Sequence, residues 1–442
     1  MDGDLAARQV GDPGSRARRL IEHLRSGVPL PPDEPPLTAG RAGLLAHTGD
    51  LLDIVEQRGS RAMALQANYG DGKTHALRAI WHLASQRNFV VSSVAVTAET
   101  PLSRLDLVYP RLIADTYLPG AAQPGIERLV AGIEADGPEA DSLLRFAEDH
   151  LHPKLHAVLQ SLLRGSSTEA VEPLLRDLAR VDMGAAEVKR IYRTNFGRPL
   201  RLTSFARTRD VREYFRLVDF LVRLRGYAGW VLLIDEVELI GRLGRGARAK
   251  ALATIGQLAG DALGCSHLLP VFAVASNFYG DVLDRRHDRT AGPDWLRARG
   301  DEEAAQACAQ GIAALDDARR LIALTPAHWT GMMQTLLDAH QTAYGWSAGV
   351  TAAELWQQML AVAPETGTKL RTRLRIGIQW LDLMLQNEGR APQVRLARVA
   401  EVPLAEDPGW NEPAAEPPAA SDEVAAGVEP PLEGGTPPEG SA

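Results

Sequence analysis

The segment Ala67-Asn68-Tyr69-Gly70-Asp71-Gly72-Lys73-Thr74 constrains the fold more than any other part of this chain. An apolar run, Met63 to Leu65, leads into it. A helix-like run, His75 to Ser85, leads out with Leu77, Ile80, Trp81 and Ala84 on one face. A glycine-rich turn between a strand and a helix suits phosphate: backbone N–H groups point at phosphate oxygens and the helix N-terminus adds its dipole. In such a turn Lys73 reaches the terminal phosphates and Thr74 offers its hydroxyl to Mg2+. The expected ligands are therefore ATP and Mg2+, and the candidate nucleotide-binding residues are Gly70, Asp71, Gly72, Lys73, Thr74 and His75. One position departs from the usual pattern, which opens with glycine where this chain has Ala67.

Two further runs match the first. Gly229-Trp230-Val231-Leu232-Leu233-Ile234-Asp235-Glu236 is a continuous apolar run ending in two acids, as a central parallel strand requires. At the carboxyl end of such a strand Asp235 can hold Mg2+ while Glu236 polarises an attacking water. Taken singly, the run is equally a core strand that ends in exposed acids. Val271-Phe272-Ala273-Val274-Ala275-Ser276-Asn277 is again apolar and ends in an amide, Asn277, suited to contact a terminal phosphate or orient water. These three motifs in this order, Walker A and Walker B among them, predict a P-loop ATPase core.

Composition excludes several classes. Two cysteines, Cys265 and Cys308, are too few for a disulfide framework or a cysteine metal cluster. No stretch approaches the roughly 18–20 apolar residues needed to cross a bilayer, and the first residues are polar and acidic. A soluble, cytoplasmic protein is expected. The net charge of −8 belongs to the end of the chain: from Ala405 onward there are nine acids and no lysine or arginine, and without them the charge is about +1. That stretch is rich in Pro, Ala, Gly and Glu and cannot offset the entropy of ordering, so residues 391–442 read as a linker and a disordered acidic tail. Only five of the 48 basic residues are lysines, and one of the five is Lys73. A compact ammonium suits phosphate at that position.

The organisation follows from periodicity. Residues 1–40 read as a short amphipathic helix, Ser15 to Ser26, and a proline-rich stretch. The core is expected over 41–324, with Leu321 to Leu324 as its fifth strand and an all-α insertion at about 120–228. Within that insertion helices are expected over Ile126–Ala135, Glu139–Arg164, Thr168–Val181 and Val211–Arg225. A loop over Thr194–Arg209 carries Arg198, Arg201, Arg207 and Arg209. A solvated loop and a DNA or subunit contact both fit it. Arg285, Arg286, Arg289, Arg297 and Arg299 lie where ring-forming ATPases often place a trans-acting arginine. Residues 325–390 form a helical lid. At ~100° per residue Arg371 lies about 60° from the centre of its apolar stripe, with Arg373 and Arg375 about 100° away. That angle makes Arg371 the candidate lid contact to a γ-phosphate.

With these segments in hand, the chain resembles the BREX-system ATP-binding family (BrxD-like proteins) of bacterial phage-defence gene clusters. Four stretches carry the resemblance, which spans residues 15–390. They are Tyr69 to His75; Ala98-Glu99-Thr100-Pro101-Leu102 with Leu105-Asp106-Leu107 after it; Leu233 to Glu238; and Ala275-Ser276-Asn277-Phe278. The resemblance implies an AAA+ ATPase similar to the origin-recognition type. Lys73 and Thr74 would bind phosphate and Mg2+, Asp235 would support Mg2+, Glu236 would be the catalytic base and Asn277 the first sensor. The expected fold is thus α/β, an additional-strand P-loop NTPase sheet of five parallel strands with a helical lid. The expected function is an ATP-hydrolysing switch that forms homo-oligomers. It would act with other defence-system proteins and, with low sequence specificity, on DNA. A non-hydrolysing ATP-gated scaffold and a P-loop kinase are the rivals; the adjacent Asp235-Glu236 pair and Asn277 disfavour the kinase.

Overall fold

The continuous apolar runs become strands because each is covered on both faces. β1 (Met63–Ala67), β2 (Phe89–Ala95), β3 (Thr116–Tyr117), β4 (Gly229–Asp235), β5 (Leu268–Ala275) and β6 (Arg319–Arg320) form one sheet, ordered β3-β2-β4-β5-β1-β6. All pairs are parallel except β2 with β3. Every residue of β5 is buried, which matches its uninterrupted apolar sequence. This strand lies between β1 and β4, so the strand feeding the glycine-rich turn and the strand ending in acids are separated by one neighbour.

This computed structural model describes residues 13–26, 38–68, 71–362 and 370–387, all within one unit, Met1–Glu401. The remaining stretch, Val402–Ala442, which contains the acidic tail, lies outside the described residues.

The edges of the sheet differ from expectation. The fifth parallel strand is Arg319–Arg320, not Leu321 to Leu324. Leu321 still donates its N–H to Gln66 O at 2.8 Å but turns into the core, and Ile322 is 73% exposed. That apolar run is the chain leaving the sheet. At the other edge β3 was not anticipated. It is held by a buried polar chain, in which the Trp230 indole N–H donates to Ser92 Oγ at 2.8 Å and Ser92 Oγ meets Thr116 Oγ1 at 2.7 Å. Both hydroxyls are thereby satisfied without water.

The helices follow in chain order: α1 (Pro13–Ser26), α2 (Ala42–Arg58), α3 (Lys73–Gln86), α4 (Leu105–Ala114), α5 (Glu127–Val130), α6 (Pro138–His150) and α7 (Pro153–Arg164). After them come α8 (Val171–Arg180), α9 (Ala185–Phe196), α10 (Arg207–Leu224), α11 (Arg245–Ala259), α12 (Asp288–Arg297) and α13 (Glu302–Asp316). The last are α14 (Pro326–Tyr344), α15 (Ala352–Val362) and α16 (Leu370–Gln386). Several boundaries correct the sequence reading. Before α4 the Thr100 hydroxyl closes a turn, donating to Ala95 O at 2.7 Å and accepting from Thr97 N at 3.0 Å. The helix expected over Glu139–Arg164 is broken, because Pro153 biases His152 to extended backbone. His152 then caps α7 by accepting from Lys154 N. The expected loop from Thr194 is shortened at both ends by α9 and α10.

Two apolar layers cover the sheet. One face (Leu65, Val231, Leu233, Val271, Ala273) packs against α2 and α3 through Leu52, Val55, Leu77, Ile80 and Trp81. The other face (Val90, Trp230, Leu232, Ile234, Phe272, Val274) shares a continuous core with α4 to α13. Inside it the Lys154 ammonium, 1% exposed, pairs with Asp177 Oδ1 at 3.0 Å. Tyr214 OH lies 3.0 Å from the ammonium and donates to Asp177 Oδ2 at 2.8 Å, and Met183 N donates to Asp177 Oδ1 at 2.7 Å. Full satisfaction is what permits a buried ion pair. Between α11 and α13 the backbones nearly touch, since a Cβ on Gly256 would lie 1.8 Å from Ala307 O. A third core joins α1 to α14, α15 and α16, so the first and last helices among the described residues pack together.

Candidate functional site

The glycine-rich turn sits where the order of strands places it, at the carboxyl ends of β1, β4 and β5. Ala67 is the last residue of β1, buried, with its carbonyl accepting from Ser276 N at 2.9 Å. Positive φ occurs at Asn88, Val181, Glu236 and His287 among the described non-glycine residues, so Ala67 meets no penalty for replacing glycine. The turn closes with Asp71 N donating to Asn68 O at 3.2 Å, and Asn68 N to Asp71 Oδ2 at 3.2 Å. Tyr69 and Gly70 lie outside the described residues. Gly72 has φ +91° and precedes the first residue of α3; only glycine holds that conformation without strain.

Lys73 and Thr74 open α3 and face the acids. Lys73 is 6% exposed, and its ammonium pairs with Glu238 Oε1 at 2.8 Å. Thr74 Oγ1 donates to Asp235 Oδ2 at 2.7 Å, while Asp235 Oδ1 accepts from Glu236 N at 2.8 Å. Glu236 adopts a left-handed backbone, φ 58°, a strain seen in positions that a surrounding site over-determines. The turn it makes starts the short helix Val237–Arg242 and separates Glu238 from the line of β4. The Glu236 carboxyl is pushed up to about 7, first by burial, then by the negative charges of Glu238 and Asp235, with Lys73 pulling the other way. Three carboxylates and one ammonium thus share one pocket of charge.

The remaining candidates are distributed unevenly. His75 lies on the first turn of α3, with Nε2 3.5 Å from Thr38 Oγ1. Asp71 is exposed on the turn and its carbonyl accepts from Arg41 Nη2 at 2.9 Å. Asn277, the sensor expected from the sequence, lies exposed two residues beyond the end of β5, whereas the hydroxyl of the preceding Ser276 is buried and without a hydrogen-bond partner. The side chain of Arg371 lies outside the described residues. Its neighbour Leu370, the first residue of α16, comes within 3.5 Å of where a Cβ on Gly72 would stand, so α16 starts beside the turn. Arg373 corrects the angular argument. It is 4% exposed, and its guanidinium lies 4.7 Å and 5.4 Å from the ring centroids of Trp329 and Trp356. Those two indoles are stacked and offer the cation a π face within the core shared by α1, α14, α15 and α16.

The arginines considered for trans action all have partners within this chain. Arg285 pairs with Asp281, Arg289 with Asp284 and Asp316, and Arg297 with Asp294 and Glu302. Arg286 donates to Gly241 O at 2.7 Å, and Arg299 lies over Trp295 at 3.7 Å. In the other basic segment Arg198 donates to Tyr192 OH, Arg207 to Asp106 O, and Arg209 pairs with Asp210. Arg201 is exposed.

Two contacts at this site were not anticipated. Arg41 is 4% exposed and ties the turn to the strand edge, donating to Asp71 O and, at 2.6 Å, to Ile322 O. No local pattern marks it. Glu238 was visible as the third acid of Asp235-Glu236-Val237-Glu238, one carboxylate more than a metal contact and a base require.

A family model described as BREX system ATP-binding protein BrxC/D matches residues 13–181 and 184–399. No curated protein and no solved structure matches the chain significantly. The match covers nearly all of the described residues, the turn, the acids and α16 included. The chain therefore belongs to the BREX system BrxC/D family, the ATP-binding proteins of a multi-component phage-defence system.

Proposed function

We propose that this chain is an AAA+-like, additional-strand P-loop ATPase that hydrolyses Mg-ATP and uses the nucleotide state as a switch in BREX defence. The observation that carries this reading is the convergence of Lys73, Thr74, Asp235 and Glu236 from β1–α3 and β4, with Thr74 Oγ1 and Asp235 Oδ2 only 2.7 Å apart. The position of β5 between β1 and β4 supports it. Two hard oxygen donors side by side fit Mg2+, which takes one or two carboxylates and completes its shell with water and phosphate. Thr74 and Asp235 would hold the ion, which would neutralise phosphate charge. Lys73 supplies an ammonium to the terminal phosphates, and Gly72 leaves the first N–H groups of α3 pointing into the turn. Glu236, with its carboxyl at about 7, is matched to accept a proton from water near neutral pH. Leu370 and the start of α16 support a lid that reads the bound phosphate through Arg371.

The division into a core over 41–324, a helical insertion and a lid over 325–390 is part of this reading, as are homo-oligomers and sequence-tolerant contact with DNA. Exposed Lys189, Arg190, Arg193 and Arg201 favour a phosphate-backbone contact on the α9 side. Lys73→Ala is expected to abolish binding of a fluorescent ATP analogue. Glu236→Gln should retain binding and lose ~10²–10⁴-fold in hydrolysis. Undiminished turnover in Glu236→Gln would remove the base assignment.

A non-hydrolysing ATP-gated scaffold is the second reading. The exposed position of Asn277 favours it, because a water-orienting amide is not held against the turn. Wild-type protein that binds ATP and never releases phosphate, with or without DNA, would select it.

A further inference from the structure

Resting on the ATP-site reading, we infer that Glu238 is an internal counter-anion that occupies Lys73 while the turn holds no phosphate, and that an arriving phosphate displaces it. The Lys73 ammonium is nearly removed from solvent, and Glu238 is 14% exposed beside it at 2.8 Å. A cation so placed needs an anion at all times. Glu238 meets that need in the nucleotide-free chain.

The same carboxylate has a second task. Its other oxygen accepts from Ala275 N at 3.0 Å. Ala275 is the last residue of β5 and pairs with Ala67 at the mouth of the turn. Glu238 therefore bridges the lysine of α3 to the end of β5, immediately before Ser276 and Asn277. Phosphate and Glu238 are both anions and compete for one ammonium. When phosphate takes Lys73, the carboxylate either withdraws, releasing the end of β5, or stays as a like charge a few ångströms from the ligand. Either route lowers nucleotide affinity. The first also transmits occupancy of the turn to the segment where a sensor is expected.

Asp235 is turned to other donors, one oxygen to Thr74 and the other to the Glu236 N–H, and the acid paired with Lys73 is Glu238. Glu236 sits on the left-handed residue, and Glu238, two residues on, is the acid the turn brings to Lys73.

The test is Glu238→Gln in the full chain. The amide oxygen keeps the Ala275 contact and removes the charge. ATP and inorganic tripolyphosphate are expected to bind about tenfold more tightly, the order of effect that removing one close like charge produces at a partly open site. The nucleotide-free variant should melt lower than wild type, because the ion pair with Glu238 is gone, and saturating ATP should close that gap. A purely structural role would lower melting in both states and weaken binding. Unchanged or weaker binding in Glu238→Gln overturns the inference. Failure of wild-type protein to bind ATP or tripolyphosphate would instead overturn the ATP-site reading. A double-mutant cycle of Lys73→Met with Glu238→Gln on the nucleotide-free protein checks the pair without any ligand. Additive changes in melting would show that no pair exists and would equally overturn the inference.

Discussion

Glu236→Gln should stabilise the nucleotide-free protein at alkaline pH while it disables hydrolysis. Moving a carboxyl from 4.5 to about 7 corresponds to roughly 3 kcal/mol between its charge states, at 1.36 kcal/mol per pKa unit. Glu236 is only half-buried, and solvent screening at such a position reduces the effective figure to about 1.5 kcal/mol. The sign follows from proton counting. Between 4.5 and about 7 the folded chain holds a proton that the unfolded chain has released. Stability therefore falls as pH rises through that window, and the loss is complete above it. Glutamine keeps the shape, carries no proton to lose and feels no repulsion from Glu238 and Asp235. In EDTA, the variant and wild type should melt together near pH 5, and the variant should melt about 2 °C higher at pH 8. Differential scanning calorimetry across pH 5–8 measures this directly. Parallel curves for the two proteins would refute the reasoning, because they would mean that Glu236 is not held near its charged neighbours in the free site.

Three further outcomes follow from the packing. Asp177→Asn should destabilise by about 3–5 kcal/mol, because it leaves the Lys154 ammonium buried without a charge partner; chemical denaturation checks it, and a loss under 1 kcal/mol would contradict the buried pair. Gly256→Ala should cost about 2–3 kcal/mol or prevent folding, since its methyl would collide with a backbone carbonyl of α13; a melting midpoint equal to wild type would show that the two helices do not approach so closely. Arg41→Ala should loosen the turn, since it removes the donor to Asp71 O. Ordering about one residue anew costs about 1–2 kcal/mol, or roughly tenfold in ATP affinity by calorimetric titration, and unchanged affinity would argue against a positioning role.

The core strands and the turn were legible because their causes are local. A parallel strand buried on both faces must be apolar throughout, and β4 and β5 read so directly. Glycine at residue 72 and lysine at 73 announce a left-handed residue followed by a helix N-terminus, which is what the structure contains. Family membership, too, rests on the sequence alone. The partners across the fold were not legible. Glu238 and Lys73 are 165 residues apart, and which of three acids meets the lysine depends on the left-handed backbone at Glu236, a conformation that no residue type other than glycine announces. Arg41 reaches the turn only because α2 packs beside it. Arg373 is buried because two tryptophans from α14 and α15 stack beneath it, although its angle on the helix had placed it toward the side of the stripe. Helical angle measures position around one helix and carries no information about what a second helix offers. The short fifth strand shows the same limit, since an apolar run states that residues will be buried and leaves open whether a strand or a departing chain buries them. Local backbone preference and burial were written in the sequence; the pairing of charges was decided by tertiary structure, because an ion pair forms between whichever groups the fold brings within reach.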